Sequence, residues 1–337
     1  MPACNSGEGR VKKFINSVDS MLGESLDGFA AVHSDIVVLG AERKFVRRRA
    51  LSTEKVALIS GGGSGHEPLH AGFVGRGMLD AACPGQVFTS PTPDQIVEAA
   101  NAVGGKAGVL FIVKNYAGDR MNFEMAAEVF EGRSASIITD DDVAVDKSTY
   151  SAGRRGVAGT LVVEKIVGAA AEQGADLKTC TSLGTEVNAR TKSIGVALTS
   201  CTVPAAGTPT FVLADDEMEM GVGIHGEPGR KRIKLATAEA IADQMIAAIV
   251  GDYGDKVSGP ALLLINGFGG TPLIELYLMY DAARRILQKR GIAVARSLVG
   301  AYVTSLEMAG CSITMSLLDD HLIKLWDSPV HTAALRW

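Results

Sequence analysis

Aromatic residues make up only 5% of this 337-residue chain, which argues against a binding surface built on stacked rings. Positive charge is not in excess either. The 33 Lys and Arg stand against 38 Asp and Glu for a net charge of -5. Nucleic acid is therefore a poor main partner, because phosphate binding needs concentrated positive charge. The one basic cluster, Arg43, Lys44, Arg47, Arg48 and Arg49, comes without an RNP-like, zinc-finger or helix-turn-helix pattern and reads as a solvated face or subunit contact. Cys4, Cys83, Cys180, Cys201 and Cys311 are scattered and lack C-x-x-C spacing. That excludes a disulfide framework and the usual zinc sites. The N-terminus lacks the apolar core of a signal peptide, no apolar run reaches the 18 residues of a membrane span, and Met1 to Arg10 reads as a loose tail. The expectation is a reduced, soluble, cytoplasmic protein with no nucleic-acid or membrane partner.

Glycine is plentiful, at 39 residues, and 47% of the chain is hydrophobic. This is the profile of an Ala/Gly/Val-rich α/β protein long enough for one large or two medium domains. Apolar spacing from Lys12 to His33 predicts an amphipathic helix. Val56 to Ser60 reads as a short buried strand running into Gly61-Gly-Gly-Ser-Gly-His-Glu-Pro68. A helix over 93–103 and a strand over 108–113 follow, ending in Lys114-Asn-Tyr-Ala-Gly-Asp119, with another helix from near Asn122. A strand over 136–139 precedes Asp140, Asp141 and Asp142, and an Ala-rich helix covers 157–172. Strands alternating with helices predict a largely parallel sheet covered on both faces, with ligands beyond its carboxyl ends. The texture changes after Ala189. There a strand at 194–198, helices at 237–249 and 273–288, and strands at 261–265 and 292–299 predict a second α/β domain. Segments 312–317 and 322–326 are both compatible with strands.

The glycine-rich segment is neither a P-loop, for want of the lysine, nor a dinucleotide loop or nucleophile elbow, because His66 replaces the final glycine of each. What remains is a turn offering backbone amides and an imidazole. His66 and His225 both stand in glycine-rich His-Glu-Pro or His-Gly-Glu-Pro turns, where an imidazole acts as acid, base or nucleophile, or is merely structural. His70 and His331 read as packing or surface residues. The H-E-x-x-H spacing of His66 to His70 is met only formally, because Pro68 interrupts it and no third ligand is recognisable, so no metal is expected. Asp119 is equally a functional carboxylate or a cap for the helix near Asn122. The three-aspartate run suits Mg²⁺ or a solvated capping turn.

Ten motifs occur in order along residues 12 to 337. Among them are the glycine segment, Phe88-Thr-Ser-Pro-Thr-Pro93, Lys114 to Asp119, Gly153-Arg-Arg-Gly-Val-Ala158, Gly221-Val-Gly-Ile-His-Gly-Glu-Pro-Gly229 and Gly269-Gly-Thr-Pro-Leu273. Together they resemble the K-subunit family of dihydroxyacetone kinases. The resemblance implies a two-domain α/β fold. Residues 12–190 would form a three-layer α/β/α domain with a mostly parallel sheet, and 191–337 a second α/β domain with a mixed sheet. It also implies that His225 captures a small ketone as a covalent hemiaminal, that His66 gives acid/base help, and that Asp119 takes the proton of the hydroxyl to be phosphorylated. Gly63, Ser64, Gly65 and Lys114 would complete the substrate-binding set.

The resemblance further implies a homodimer whose substrate is dihydroxyacetone or a similar ketose such as erythrulose. This chain would bind no cofactor or metal. ATP or ADP and Mg²⁺ would sit on a helical L-type partner, recharged by a phosphohistidine carrier. The ending at Trp337 reads as that of a free subunit of a phosphotransferase-system-dependent enzyme. A non-catalytic dihydroxyacetone sensor of the same fold is the alternative. Two departures stand out: a short segment at 131–136 and an unmatched N-terminus.

Overall fold

The computed structural model describes residues 12–144, 153–227, 229 and 231–337. Met1 to Arg10 and Pro228, both quoted above, lie outside these. The first part of the chain runs α1 (Met21–Val32), β1 (Val37–Leu39), β2 (Val46–Arg48), β3 (Ala57–Ser64), β4 (Gly75–Arg76), β5 (Ala81–Val87), α2 (Pro93–Val103), β6 (Val109–Lys114), α3 (Ala117–Val129) and β7 (Ser134–Thr139). Then come α4 (Gly159–Glu172), α5 (Leu177–Ala189), β8 (Thr191–Ala197), β9 (Glu217–Met220), β10 (Lys231–Lys234), α6 (Ala238–Tyr253), β11 (Ala261–Gly267), α7 (Leu273–Lys289), β12 (Val294–Gly300), β13 (Gly310–Leu317), α8 (Asp320–Asp327) and β14 (His331–Thr332).

Two six-stranded sheets result. The first has order β1-β2-β5-β3-β6-β7, with β5, β3, β6 and β7 mutually parallel. The second, β10-β9-β8-β13-β11-β12, is mixed, parallel only between β11 and β12. Both carry apolar side chains on two faces, as the period-2 alternation of strands requires when each face is covered. Ile59 and Phe111 pack with Ile96 and Phe123 of α2 and α3 on the outer side of the first sheet. Leu58 and Leu110 point the other way, onto Leu161, Val162 and Ile166 of α4. The same cluster takes in Leu262 and Leu264 of β11, while Leu263 and Ile265 face Ile241, Met245 and Ala283 of α6 and α7. Helix α4 is thus enclosed between the two sheets, and every residue from Gly159 to Ala171 is buried.

Several elements differ from the sequence expectation. The first helix begins at Met21, not Lys12. Before it the Ser17 hydroxyl accepts the Ser20 N–H at 3.1 Å, a local bond that competes with helix, and Phe14 and Val18 are left exposed. Residues 322–326 are helical, because the Asp319 carboxylate caps the Leu322 N–H at 2.9 Å and Leu322, Leu325 and Trp326 share one buried face. Helix α5 has no counterpart in that expectation. Helix α3 starts at Ala117, so Asp119 lies inside its first turn and is not a cap near Asn122. The short 131–136 segment holds both a loop and the start of β7.

The glycine segment is the largest revision. Gly61 to Gly63 continue β3, and of its glycines only Gly65, with φ +100°, is left-handed. Here glycine serves close approach. A Cβ on Gly62 would stand 2.1 Å from Lys114 Nζ, and one on Gly63 would stand 2.5 Å from the Thr89 backbone nitrogen.

Candidate functional site

A cleft of about 540 Å³ opens beyond the carboxyl ends of β3 and β6, lined by Gly63, Phe88, Tyr116, Asp119, His225 and Glu227 among others. Residues from both halves of the chain therefore meet there. The first turn of α3 presents Asp119, and the turn after β9 presents His225. That turn is held by Glu227, whose Oε2 accepts the His225 backbone N–H at 3.0 Å while Oε1 lies 3.3 Å from His225 Nδ1. Burial works against the Glu227 charge. The His225 hydrogen bond and charge, with the Arg155 charge, outweigh it and bring the carboxyl down to about 2. An ionised Glu227 accepts from Nδ1–H, so in the neutral imidazole Nε2 is the nitrogen that carries the lone pair. The ring is 19% exposed, enough for contact with a ligand.

Three rings surround His225. Tyr116 meets it edge-on at 4.5 Å between centroids, His66 at 4.7 Å and Phe88 at 5.3 Å. His66 stacks on Phe88 and is almost wholly buried. Its Nδ1–H donates to the Thr304 carbonyl at 2.7 Å, so Nε2 is the unprotonated nitrogen, and it has no partner. Burial, then the charges of His225 and Lys114, lower its pKa well below the ordinary value, against the pull of the Thr304 carbonyl. His66 is a neutral acceptor beside His225. The Tyr116 hydroxyl is also buried without a partner.

Lys114 lies behind Asp119 and is fully buried. Its ammonium reaches Asp119 Oδ2 at 3.1 Å, the Gly61 carbonyl at 3.2 Å and His70 Nε2 at 3.3 Å. Ser64 and Gly65 are engaged locally: the Ser64 hydroxyl donates to the Gly85 carbonyl at 2.7 Å and the Gly65 N–H to the Glu67 carboxylate at 3.0 Å. The structure therefore sets Gly63, Asp119 and His225 on the cleft and places His66 and Lys114 directly behind it. Glu227 and Tyr116 stand within the sequence motifs without a role that sequence alone assigns, and His70 reads there as a packing or surface residue.

Asp141 and Asp142 are buried, not solvated. Asp141 accepts the Val157 and Gly159 N–H groups at 2.9 and 2.7 Å. Asp142 pairs with Arg155 at 2.6 Å. Protein donors satisfy both, and among the described residues no cluster of three or more His, Cys, Asp or Glu is placed to hold a metal ion. In the basic cluster, Arg48 is likewise buried, on Asp80 and Glu172. A second cavity, of about 600 Å³, lies against β3 and α1 and is mainly apolar; it includes neither Asp119 nor His225.

The Dak1 domain model matches residues 27–334. The chain belongs to the Dak1 family. This Dak1 chain is 47% identical to the dihydroxyacetone-binding subunit DhaK of the PEP-dependent dihydroxyacetone kinase of Escherichia coli strain K12, over 97% of its own length and 99% of the relative's. It is 48% identical to the corresponding subunit of a PTS-dependent dihydroxyacetone kinase of Listeria innocua, over 96% and 100%. Among solved structures it superposes on the dihydroxyacetone kinase operon co-activator DhaQ with TM-score 0.87 and 33% identity, covering 92% of this chain and 97% of that one. It superposes on the dihydroxyacetone kinase of C. freundii with TM-score 0.86 and 34% identity, covering 96% of this chain and 60% of that one. No helix among the described residues is long and apolar enough to cross a membrane.

Proposed function

We propose that this Dak1 chain is the substrate-binding subunit of a dihydroxyacetone kinase, and that it captures the ketone as a hemiaminal on His225. The observation that carries the reading is the His225–Glu227 pair on the cleft. An imidazole whose Nδ1–H is engaged by an ionised carboxylate offers Nε2 to an electrophilic carbon. Attack by Nε2 forms the C–N bond while the carbonyl π pair moves to oxygen, which takes a proton from solvent. The Nδ1 proton leaves the ring through Glu227 to solvent, so a neutral hemiaminal forms with no net change in protons. Glycerol has no carbonyl and is excluded by the same step. The bond converts weak binding of a small triose into orientation.

Asp119, on the same cleft, then accepts the proton of a terminal hydroxyl as that oxygen attacks a phosphoryl group. The donor and its Mg²⁺ belong to a helical partner subunit, recharged by a phosphohistidine carrier, and this chain works as a homodimer in the cytoplasm. His66 Nε2, an acceptor without a partner, is suited to receive the hydroxyl of the adduct.

The test is ¹³C NMR of ketone-labelled dihydroxyacetone with the chain, followed by phosphate transfer with a nucleotide-loaded L-type subunit. A ketone carbon that stays trigonal sinks the hemiaminal. An adduct without turnover favours the second reading, a non-catalytic sensor, which the likeness to the operon co-activator supports. The Asp119–Lys114 pair beside His225 favours the enzyme.

A further inference from the structure

Helix α4 carries Glu164, a fully buried carboxyl group to which the proposed reaction assigns nothing. Its Oε1 lies 2.7 Å from His70 Nδ1, and its Oε2 has no hydrogen-bond partner. His70, also buried, lies with Nε2 3.3 Å from Lys114 Nζ. An ammonium has three N–H groups and no lone pair. On Lys114 they meet the Gly61 carbonyl, Asp119 Oδ2 and His70 Nε2, so His70 takes the third. Because Nε2 accepts there, the proton of the ring sits on Nδ1 and is donated to Glu164.

We propose that His70, seated by Glu164, is the positioning residue for Lys114, holding its ammonium on Asp119 through an uncharged nitrogen acceptor. A second carboxylate in that place would compete with Asp119 for the lysine. An imidazole fixes the head without competing. Gly62 makes the approach possible, since a Cβ there would lie 2.1 Å from Nζ and 3.5 Å from His70 Nε2.

The charge states agree with the geometry. Burial, then the charges of Lys114 and His66, lower the pKa of His70 well below the ordinary value. Burial raises Glu164 to about 8, against the pull of Ser60 and Lys114. The His70–Glu164 contact is thus a hydrogen bond between neutral groups below that pH, not an ion pair. The inference rests on the kinase reading only in naming Asp119 as the base.

The first test needs no turnover. In the whole chain, ¹⁵N shifts of His70 should show a pyrrole-type Nδ1 and a pyridine-type Nε2. The reverse tautomer overturns the proposal whatever the activity. In phosphate transfer with the L-type subunit, His70→Leu should lower kcat by about 10- to 100-fold with the hemiaminal intact, the range of supporting residues elsewhere. His70→Gln, which restores an acceptor, should recover most of the loss, and His70→Leu should add nothing in a Lys114→Met background. Equal losses in the Leu and Gln variants, or an undiminished loss in that background, mark His70 as mere packing. A wild-type chain that turns nothing over sinks the kinase reading instead, and the tautomer still decides this one.

Discussion

Two histidine–glutamate pairs, one on the cleft and one behind Lys114, are set in opposite states. Glu227 shares its surroundings with Arg155, and His225 donates to it, so it is held ionised at about 2. Glu164 is enclosed in a helix between two sheets, with the Lys114 charge pulling on it and one oxygen bare, and burial raises it to about 8. The same two side chains therefore form a hydrogen bond to an ionised carboxylate in one place and one between neutral groups in the other. Neighbours and burial, not residue type, decide which.

The largest effect should come from removing the histidine of the first pair. His225→Ala is expected to abolish the tetrahedral ¹³C signal of bound dihydroxyacetone and with it the selectivity over glycerol. Asp119→Asn should keep that signal while slowing phosphate transfer by about 10²-fold or more, as loss of a general base does. Normal turnover in that variant would remove Asp119 from the mechanism.

Stability against pH separates the pairs by sign. The depressed Glu227 contributes on the order of 3 kcal/mol above its unfolded value of 4.5, lost as pH falls through about 2. The raised Glu164 acts in reverse: it opposes folding increasingly as pH rises from 4.5 to about 8, by about 5 kcal/mol at the end. Urea unfolding of Glu227→Gln should lose the acid-side gain, and that of Glu164→Gln should lose the alkaline-side decline. If both variants follow the wild-type curve, the two carboxyl groups are not in opposite states. The smallest change, Gly62→Ala, should displace Lys114 and lower kcat more than it lowers Tm.

The comparison also bears on what the sequence conveys. The parallel strands are legible as short apolar runs bounded by glycine and polar residues, and Asp119 and His225 stand in motifs quotable without a structure. Their meeting is not legible, because they approach from different sheets. Helix α5 was missed although Leu177, Cys180, Leu183 and Val187 are spaced for one buried face, since its many threonines and Gly184 weaken the helical signal. Glu164 gives no signal at all. In Leu161-Val-Val-Glu-Lys-Ile-Val167 the Glu-Lys pair reads as the solvent side of an amphipathic helix, whereas His70 and the first sheet enclose Glu164, and α8 with Trp337 covers Lys165. The glycine run misled for a related reason: three glycines suggest a bend, whereas here they thin a strand so that a lysine can cross it.

The enclosure of α4 has a consequence for how the molecule comes apart. One helix supplies core to both sheets, so neither sheet keeps a complete apolar face once the other is lost. Heat or denaturant should find a single cooperative unit, in which hydrogen exchange in α4 requires global opening. The two walls of the cleft then share one beam, and their spacing depends on α4.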